Sequence, residues 1–209
     1  VDRPRGKQDW QEHPHGIWYH CVVGIWRDVW MEVVPANYVR SLTWSWDIEE
    51  AQVTCDVECA GLPLNTGTHE AIEACLTLDL AGVTLAATMV RAHSGQLRLV
   101  AQIPALANRQ EWGRLLWSPA HPNLINARIC VGEDEVVSYV GIRDVNLSHR
   151  YLEINHQPTY LRGILDQGYW PSSYFTAPSA EALKEDLELA RDMGFNFVRI
   201  HERSADRRT

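Results

Sequence analysis

The feature that most constrains this chain is an alternation of apolar and polar residues with a period of two, repeated along residues 38–142. Leu42, Trp44 and Trp46 alternate with Thr43 and Ser45. Ala51, Val53, Cys55, Val57 and Cys59 alternate with Gln52, Thr54, Asp56 and Glu58. Ala74, Leu76, Leu78 and Leu80 alternate with Cys75, Thr77 and Asp79, and Val83, Leu85 and Met89 fall on one face. Leu97, Leu99, Ala101 and Ile103 share a face, Ile125, Ala127, Ile129 and Val131 another, and a last run covers Val136 to Ile142. Successive strand side chains point to opposite faces, so each run predicts a strand with one apolar side. Seven such strands within about a hundred residues bury those sides only by stacking as two sheets. The predicted fold is mostly β, with an immunoglobulin-like sandwich over residues 35–148. Gly61, Pro63, Gly67, Gly82, Gly95 and Gly132 supply turns between the runs.

The flanks read differently. Ile17-Trp18-Tyr19 and the run from Gly24 to Val34 predict two strands, ended by Pro35. Two strands cannot bury so aromatic a surface alone, so residues 1–34 are expected to be the tail of a further β domain. After Ser148, Tyr151–Ile154 and Thr159–Leu161 flank Asn155-His156-Gln157-Pro158 as a hairpin. Gly163-Ile164-Leu165 predicts a buried strand, followed by a polar and aromatic loop from Asp166 to Pro178. Ser179 is suited to cap a helix whose stripe is Leu183, Leu187, Ala190 and Met193, with Gly194 ending it. Phe195 to Ile200 then predicts a second buried strand. Strand, helix and strand with a crossover form a parallel βαβ unit, and one such unit is not a domain.

Net charge is −8 with no long basic run, which argues against nucleic acid, since phosphate binding needs clustered Lys and Arg. No apolar stretch is long enough to span a bilayer, so no membrane partner is expected. Val1-Asp2-Arg3-Pro4-Arg5-Gly6-Lys7 is not a signal peptide and does not begin with Met. A parent chain longer at this end is expected, and the compartment, cytoplasmic or periplasmic, stays open. The five cysteines (21, 55, 59, 75 and 130) lack a close pair and read as buried free thiols. The nine tryptophans suit stacking on sugars, but core packing is the expectation for most.

Four segments carry a resemblance: Gly24-Ile25-Trp26-Arg27-Asp28-Val29-Trp30-Met31-Glu32, Leu116-Trp117-Ser118-Pro119-Ala120-His121-Pro122-Asn123-Leu124, Leu161-Arg162-Gly163 after a hairpin, and Gly194-Phe195-Asn196-Phe197-Val198-Arg199. In this order and spacing the chain resembles glycoside hydrolase family 2, the β-galactosidase, β-glucuronidase and β-mannosidase group. The resemblance implies that 1–34 ends a jelly-roll sugar-binding domain, that 35–148 is the sandwich, and that 149–209 begins a TIM barrel, a (β/α)8 catalytic domain. It implies retaining hydrolysis of a β-glycoside by two glutamates, one a proton donor and the other a nucleophile. Both lie on later barrel strands in the family, and no catalytic residue is carried over here.

Barrel sites lie at the C-terminal ends of strands. The substrate-binding candidates are therefore Asp166 and Gln167 after the first strand, Arg199 and His201 at the end of the second, and Trp170, with Tyr169, in the loop. Arg199 matches the family's strand-two arginine, which lies near the nucleophile and would hold it ionised. His201 departs from the commoner pattern, which puts His where Glu202 stands. Cys21-Val22-Val23 and His156 are further departures. The resemblance implies a carbohydrate as the parent's substrate, allows a homo-oligomer, and calls for no cofactor. No metal-ligand cluster stands out. Two other readings compete: a non-catalytic sandwich binding glycan or protein, and a complete small enzyme using Glu202 and Asp166. The βαβ tail argues against the first, and two barrel strands cannot close a pocket for the second.

Overall fold

The computed structural model describes residues 7–62, 71–148 and 150–201. Pro63, Gly67 and Glu202, named above, lie outside the described residues. The chain divides into two units, Glu32–Thr159 and Val1–Met31 with Tyr160–Thr209.

The first unit contains the seven alternating strands. They are β1 (Tyr38–Asp47), β2 (Gln52–Ala60), β3 (Ile72–Leu80), β4 (Val83–Ala92), β5 (Gln96–Gln102), β6 (Ile125–Val131) and β7 (Asp134–Val140). A short helix, α1 (Trp112–Leu115), lies between β5 and β6. Strands β1-β2-β5 form one antiparallel sheet and β4-β3-β6-β7 the other. The apolar faces meet in one core. Val53 and Cys55 from β2, Leu76 and Leu78 from β3, Leu99 from β5, and Ile125 and Ile129 from β6 are all fully buried. Burying each of the larger chains contributes about 1.5–3 kcal/mol, which is why period-two patterning dictates this packing.

Two hairpins are set by backbone sign. Leu80 pairs with Val83 across Ala81 and Gly82, both at positive φ, as a type I′ turn requires. Val131 pairs with Asp134 across Gly132, again at positive φ.

One face assignment is corrected. Leu78 pairs with Ala86 but Asp79 pairs with Thr84, so Leu85 is an extra residue in β4. This bulge shifts the parity of the later β4 residues. Ala86, Val90 and Ala92 turn inward, while Met89 and Val83 are exposed.

The cysteine expectation is also corrected. Cys55 and Cys59 are buried, and burial pushes their thiols up to about 12 and about 11. Cys75 and Cys130 stand half-buried on the outer face, and Cys21 is exposed. The tryptophans divide similarly. Trp44, Trp46 and Trp112 pack against the core, but Trp10 and Trp30 are exposed.

The same unit holds a small sheet in the order β10-β9-β8, from β8 (Val145–Leu147), β9 (Leu152–Ile154) and β10 (Gln157–Thr159). Asn155 and His156 close its tight hairpin, both at positive φ. The Asn155 side-chain amide donates to the Trp117 carbonyl at 3.0 Å, and His156 stacks on Trp112 with ring centres 5.9 Å apart. These bonds tie the Leu116–Leu124 segment to the hairpin. Within that segment Ser118 and His121 exchange backbone hydrogen bonds, and Asn123 donates to the Leu116 carbonyl at 3.0 Å.

The second unit contains the crossover. Strands β11 (Gly163–Asp166) and β12 (Phe197–Ile200) pair in parallel, with α2 (Ala180–Asp192) between them in the chain. Ser179 caps α2 as its residue type predicts, its hydroxyl accepting from Ala182 N at 3.1 Å. Gly194, at φ +89, leads the chain out of the helix.

The strands expected at 17–19 and 24–34 are not formed. Among the described residues before Tyr38 the only ladder contact is an isolated bridge between Gln8 and Tyr19. The run is rich in apolar residues, but Ile25, Val29, Met31 and Val33 are exposed. Among the described residues this run joins no ladder, and the Trp26 carbonyl accepts instead from the Thr176 hydroxyl at 2.7 Å.

Candidate functional site

The C-terminal ends of β11 and β12 lie side by side because the strands are parallel and in register, Asp166 opposite Ile200. His201 N donates to the Asp166 carbonyl at 2.9 Å, extending the ladder by one residue. The Asp166 carboxylate accepts from Gly168 N at 2.6 Å, which turns the chain at the strand end. Gly168 takes positive φ there and is buried.

A residue far away in sequence completes this cluster. The Lys7 ammonium donates to Gln167 Oε1 at 3.1 Å and lies 3.5 Å from His201 Nδ1. Lys7, Asp166, Gln167 and His201 thus share one strand end, with Gln167 and His201 bridged by a cation.

Arg199 is placed differently. It lies opposite Leu165 within β12, one residue short of the strand end, and its side chain is exposed. The sequence grouped it with His201. Strand alternation sends adjacent residues to opposite faces, so His201 and Arg199 share a parity that Ile200 does not.

The loop residues pack among aromatics. Tyr169 stacks on Tyr19 with ring centres 4.5 Å apart and meets Phe175 edge-on at 5.9 Å. Burial raises its phenol above the ordinary value, against the lowering effect of a backbone bond at His20. Tyr169 is therefore a packing residue under the loop. Trp170 exchanges backbone bonds with Tyr174 at 2.7 and 2.9 Å, which closes a tight loop. Its indole Nε1 is buried without a hydrogen-bond partner among the described residues. A buried donor left unpaired is costly.

The segment before the sandwich is held by its own buried carboxylate. Asp9 accepts from Gln11 N at 3.0 Å, His15 N at 2.6 Å and His15 Nδ1 at 2.7 Å. Burial alone would raise its pKa, but these donors outweigh it and hold the carboxyl below its ordinary value. Trp10 meets His15 and Trp18 edge-on beside this knot, with ring centres 5.0 and 5.6 Å apart.

Neither Lys7 nor the Asp9–His15 knot is visible in the sequence, because each depends on contacts that no local period encodes. Among the described residues no cluster of three His, Cys, Asp or Glu could hold a metal ion. None of the described helices is long and apolar enough to cross a membrane.

A sandwich ahead of a parallel βαβ unit, with the four quoted segments in order, defines a glycoside hydrolase family 2-like chain covering part of a longer relative. No family profile matches it. The chain is 27% identical over 186 residues to a Formosa agariphila protein named "Putative beta-glucuronidase", covering 85% of this chain and 21% of that one. It is 24% identical over 206 residues to a beta-galactosidase of Thermoanaerobacter pseudethanolicus, covering 93% of this chain and 26% of that one. Among solved structures, a Ruminococcus gnavus β-glucuronidase in complex with D-glucuronic acid matches with a TM-score of 0.61 at 19% identity, covering 84% of this chain and 28% of that one. A GH2 beta-galacturonidase from Eisenbergiella tayi matches with a TM-score of 0.60 at 15% identity, covering 83% and 30%. The chain thus spans between a fifth and a third of the length of these relatives.

Proposed function

We propose that this chain is an internal piece of a retaining β-glycosidase that contributes sugar-binding groups but neither catalytic glutamate. The observation that carries this is the gathering of Lys7, Asp166, Gln167 and His201 at the C-terminal ends of two parallel strands. That is where a (β/α)8 barrel binds its substrate. In this reading residues 1–34 end a jelly-roll domain, 35–148 form the immunoglobulin-like sandwich, and 149–209 open the barrel. The exposed Ile25, Val29 and Met31 are then apolar surface that the rest of the jelly roll covers.

The chemistry divides accordingly. Retention needs two carboxyls roughly 5–5.5 Å apart across the glycosidic bond, supplied by later barrel strands. Asp166, Gln167, Trp170, Arg199 and His201 bind or orient the sugar. The Lys7 ammonium stands beside Gln167 Oε1 and His201 Nδ1 at this strand end. A fixed cation of this kind suits a sugar bearing a carboxylate. The relatives named as β-glucuronidases support a uronic acid as that sugar.

Assay of the purified chain on chromogenic β-glucuronides and β-galactosides tests the proposal. No turnover is expected, and clear turnover overturns it. Sugar affinity without turnover, unaffected by Lys7→Met, favours a binding module instead. In a parent with a closed barrel, Lys7→Met is expected to lower kcat/KM on a β-glucuronide about tenfold or more and to spare a neutral β-galactoside.

A further inference from the structure

Apart from the proposed sugar site, the chain carries a paired thiol site on the outer face of the four-stranded sheet. Cys75 of β3 and Cys130 of β6 are direct cross-strand partners. Two residues along the same ladder, Gly132 N donates to the Glu73 carbonyl at 2.9 Å. Hydrogen-bonded pairs alternate along an antiparallel ladder, so Cys75 and Cys130 also occupy a hydrogen-bonded position, with Cα atoms about 5.5 Å apart. That Cα spacing lies within the disulfide range of roughly 4.4–6.8 Å, while the Cβ atoms of such a pair, about 5.5 Å apart, must close by roughly 1 Å to bond, so the disulfide is strained and readily reduced. Both thiols are free and half-buried on the outer face, unlike the buried Cys55 and Cys59, and the Cys130 thiol lies 4.0 Å from Glu135 Oε2. Met89, directly opposite Cys75 on β4, and Glu135, opposite Cys130 on β7, complete the row without blocking it from solvent.

We propose that Cys75 and Cys130 form a redox-modifiable site that closes to a cross-strand disulfide by exchange with a low-molecular-weight disulfide such as oxidised glutathione. One cysteine thiolate attacks glutathione disulfide, forms a mixed disulfide and releases one glutathione thiol. The second cysteine thiolate then attacks the mixed disulfide at the cysteine sulfur and releases the other. Two protein thiols are oxidised by two electrons, one glutathione disulfide is reduced to two thiols, and each cysteine proton ends on a glutathione sulfur. Burial, then the neighbouring Cys75 thiol, push Cys130 up to about 11, so its thiolate is scarce at neutral pH and the exchange runs faster as pH rises. Closure fixes β3 to β6 and removes loop freedom over roughly fifty residues of the unfolded chain.

The test treats the native full chain, carrying Cys21→Ser to remove the exposed thiol, with oxidised glutathione. Remaining thiols are then alkylated under denaturing conditions before peptide mapping. The expected product is one linked peptide pair containing Cys75 and Cys130, with Cys55 and Cys59 alkylated. The sandwich Tm should rise by roughly 5–10 °C, and dithiothreitol should reverse the rise. Persistent glutathione adducts at Cys75 or Cys130 without the link overturn the proposal, as does a link formed only in denaturant. Cys130→Ser, an outer-face change that leaves the core intact, should show no thermal gain. The same gain in that variant also overturns the proposal.

Discussion

A Cβ added at Gly163 would collide with Cδ1 of the Phe197 ring, so these two residues set how closely β11 and β12 pack. They are also register partners, and each belongs to a segment that carries the family resemblance. Gly163→Ala should therefore strain the crossover. A loss of about 1–3 kcal/mol is expected in the unit that contains it, as for other overpacked sites. Hydrogen exchange resolved by peptide would register the loss over 163–200. Unchanged exchange there would show that Phe197 simply rotates away.

Leu99 is fully buried, in the same core as Leu76, Leu78 and Ile129 of the facing sheet. Leu99→Ala opens a cavity between the sheets and should cost about 2–5 kcal/mol. That is a large fraction of a domain's total stability. Urea unfolding followed by tryptophan fluorescence would show a lower midpoint with an unchanged slope.

Ala81 takes φ 50 in the β3–β4 hairpin, where an L residue other than Asn, Asp or Gly is disfavoured. Asn-Gly is the preferred pair for this turn, and Gly82 already supplies the second half. Ala81→Asn should stabilise the sandwich by about 0.5–1 kcal/mol. A Tm no higher than that of the parent chain would count against the turn assignment.

The sandwich was legible because its information is local. Period-two alternation places Val53, Cys55 and Val57 inward whatever lies beyond them, and the helix cap at Ser179 is equally short-range. The β4 face was misread because a single bulged residue, Leu85, reverses parity and leaves no mark in composition. The run at 24–34 was misread because a dense apolar and aromatic stretch shows what a strand could bury and does not supply a ladder for it to join. Asp166, Gln167 and His201 could be placed together since strand ends are countable. Lys7 joins them across about 160 residues, a contact of long-range packing that the sequence pattern does not carry.

Acid sensitivity should centre on Asp9. Its carboxyl is held below the ordinary value, so the folded state binds the proton more weakly than the unfolded chain does. The stabilisation is complete above the unfolded carboxylate value, about 4, and is lost as pH falls through the lower folded value. Trp10 packs edge-on to His15, the partner of Asp9, and so reports on the knot. Its fluorescence should change below about pH 4 and return on neutralisation. Asp9→Asn keeps the shape but removes the charge, and should flatten that acid transition.

Helix α2 leaves Leu187 and Met193 of its apolar stripe exposed, at 55% and 73%, whereas Leu76, Leu99 and Ile129 of the sandwich show none. Few buried contacts mean a low cost of local opening, since most helical stability in proteins comes from a covered apolar face. Amide exchange is therefore expected to be fast across 179–200 and slow through β2, β3, β5 and β6. Addition of chain segments that complete a barrel should slow exchange in α2 without altering the sandwich. Uniform protection in the chain alone would mean that the βαβ unit is already satisfied, and the reading of it as part of a larger barrel would fail.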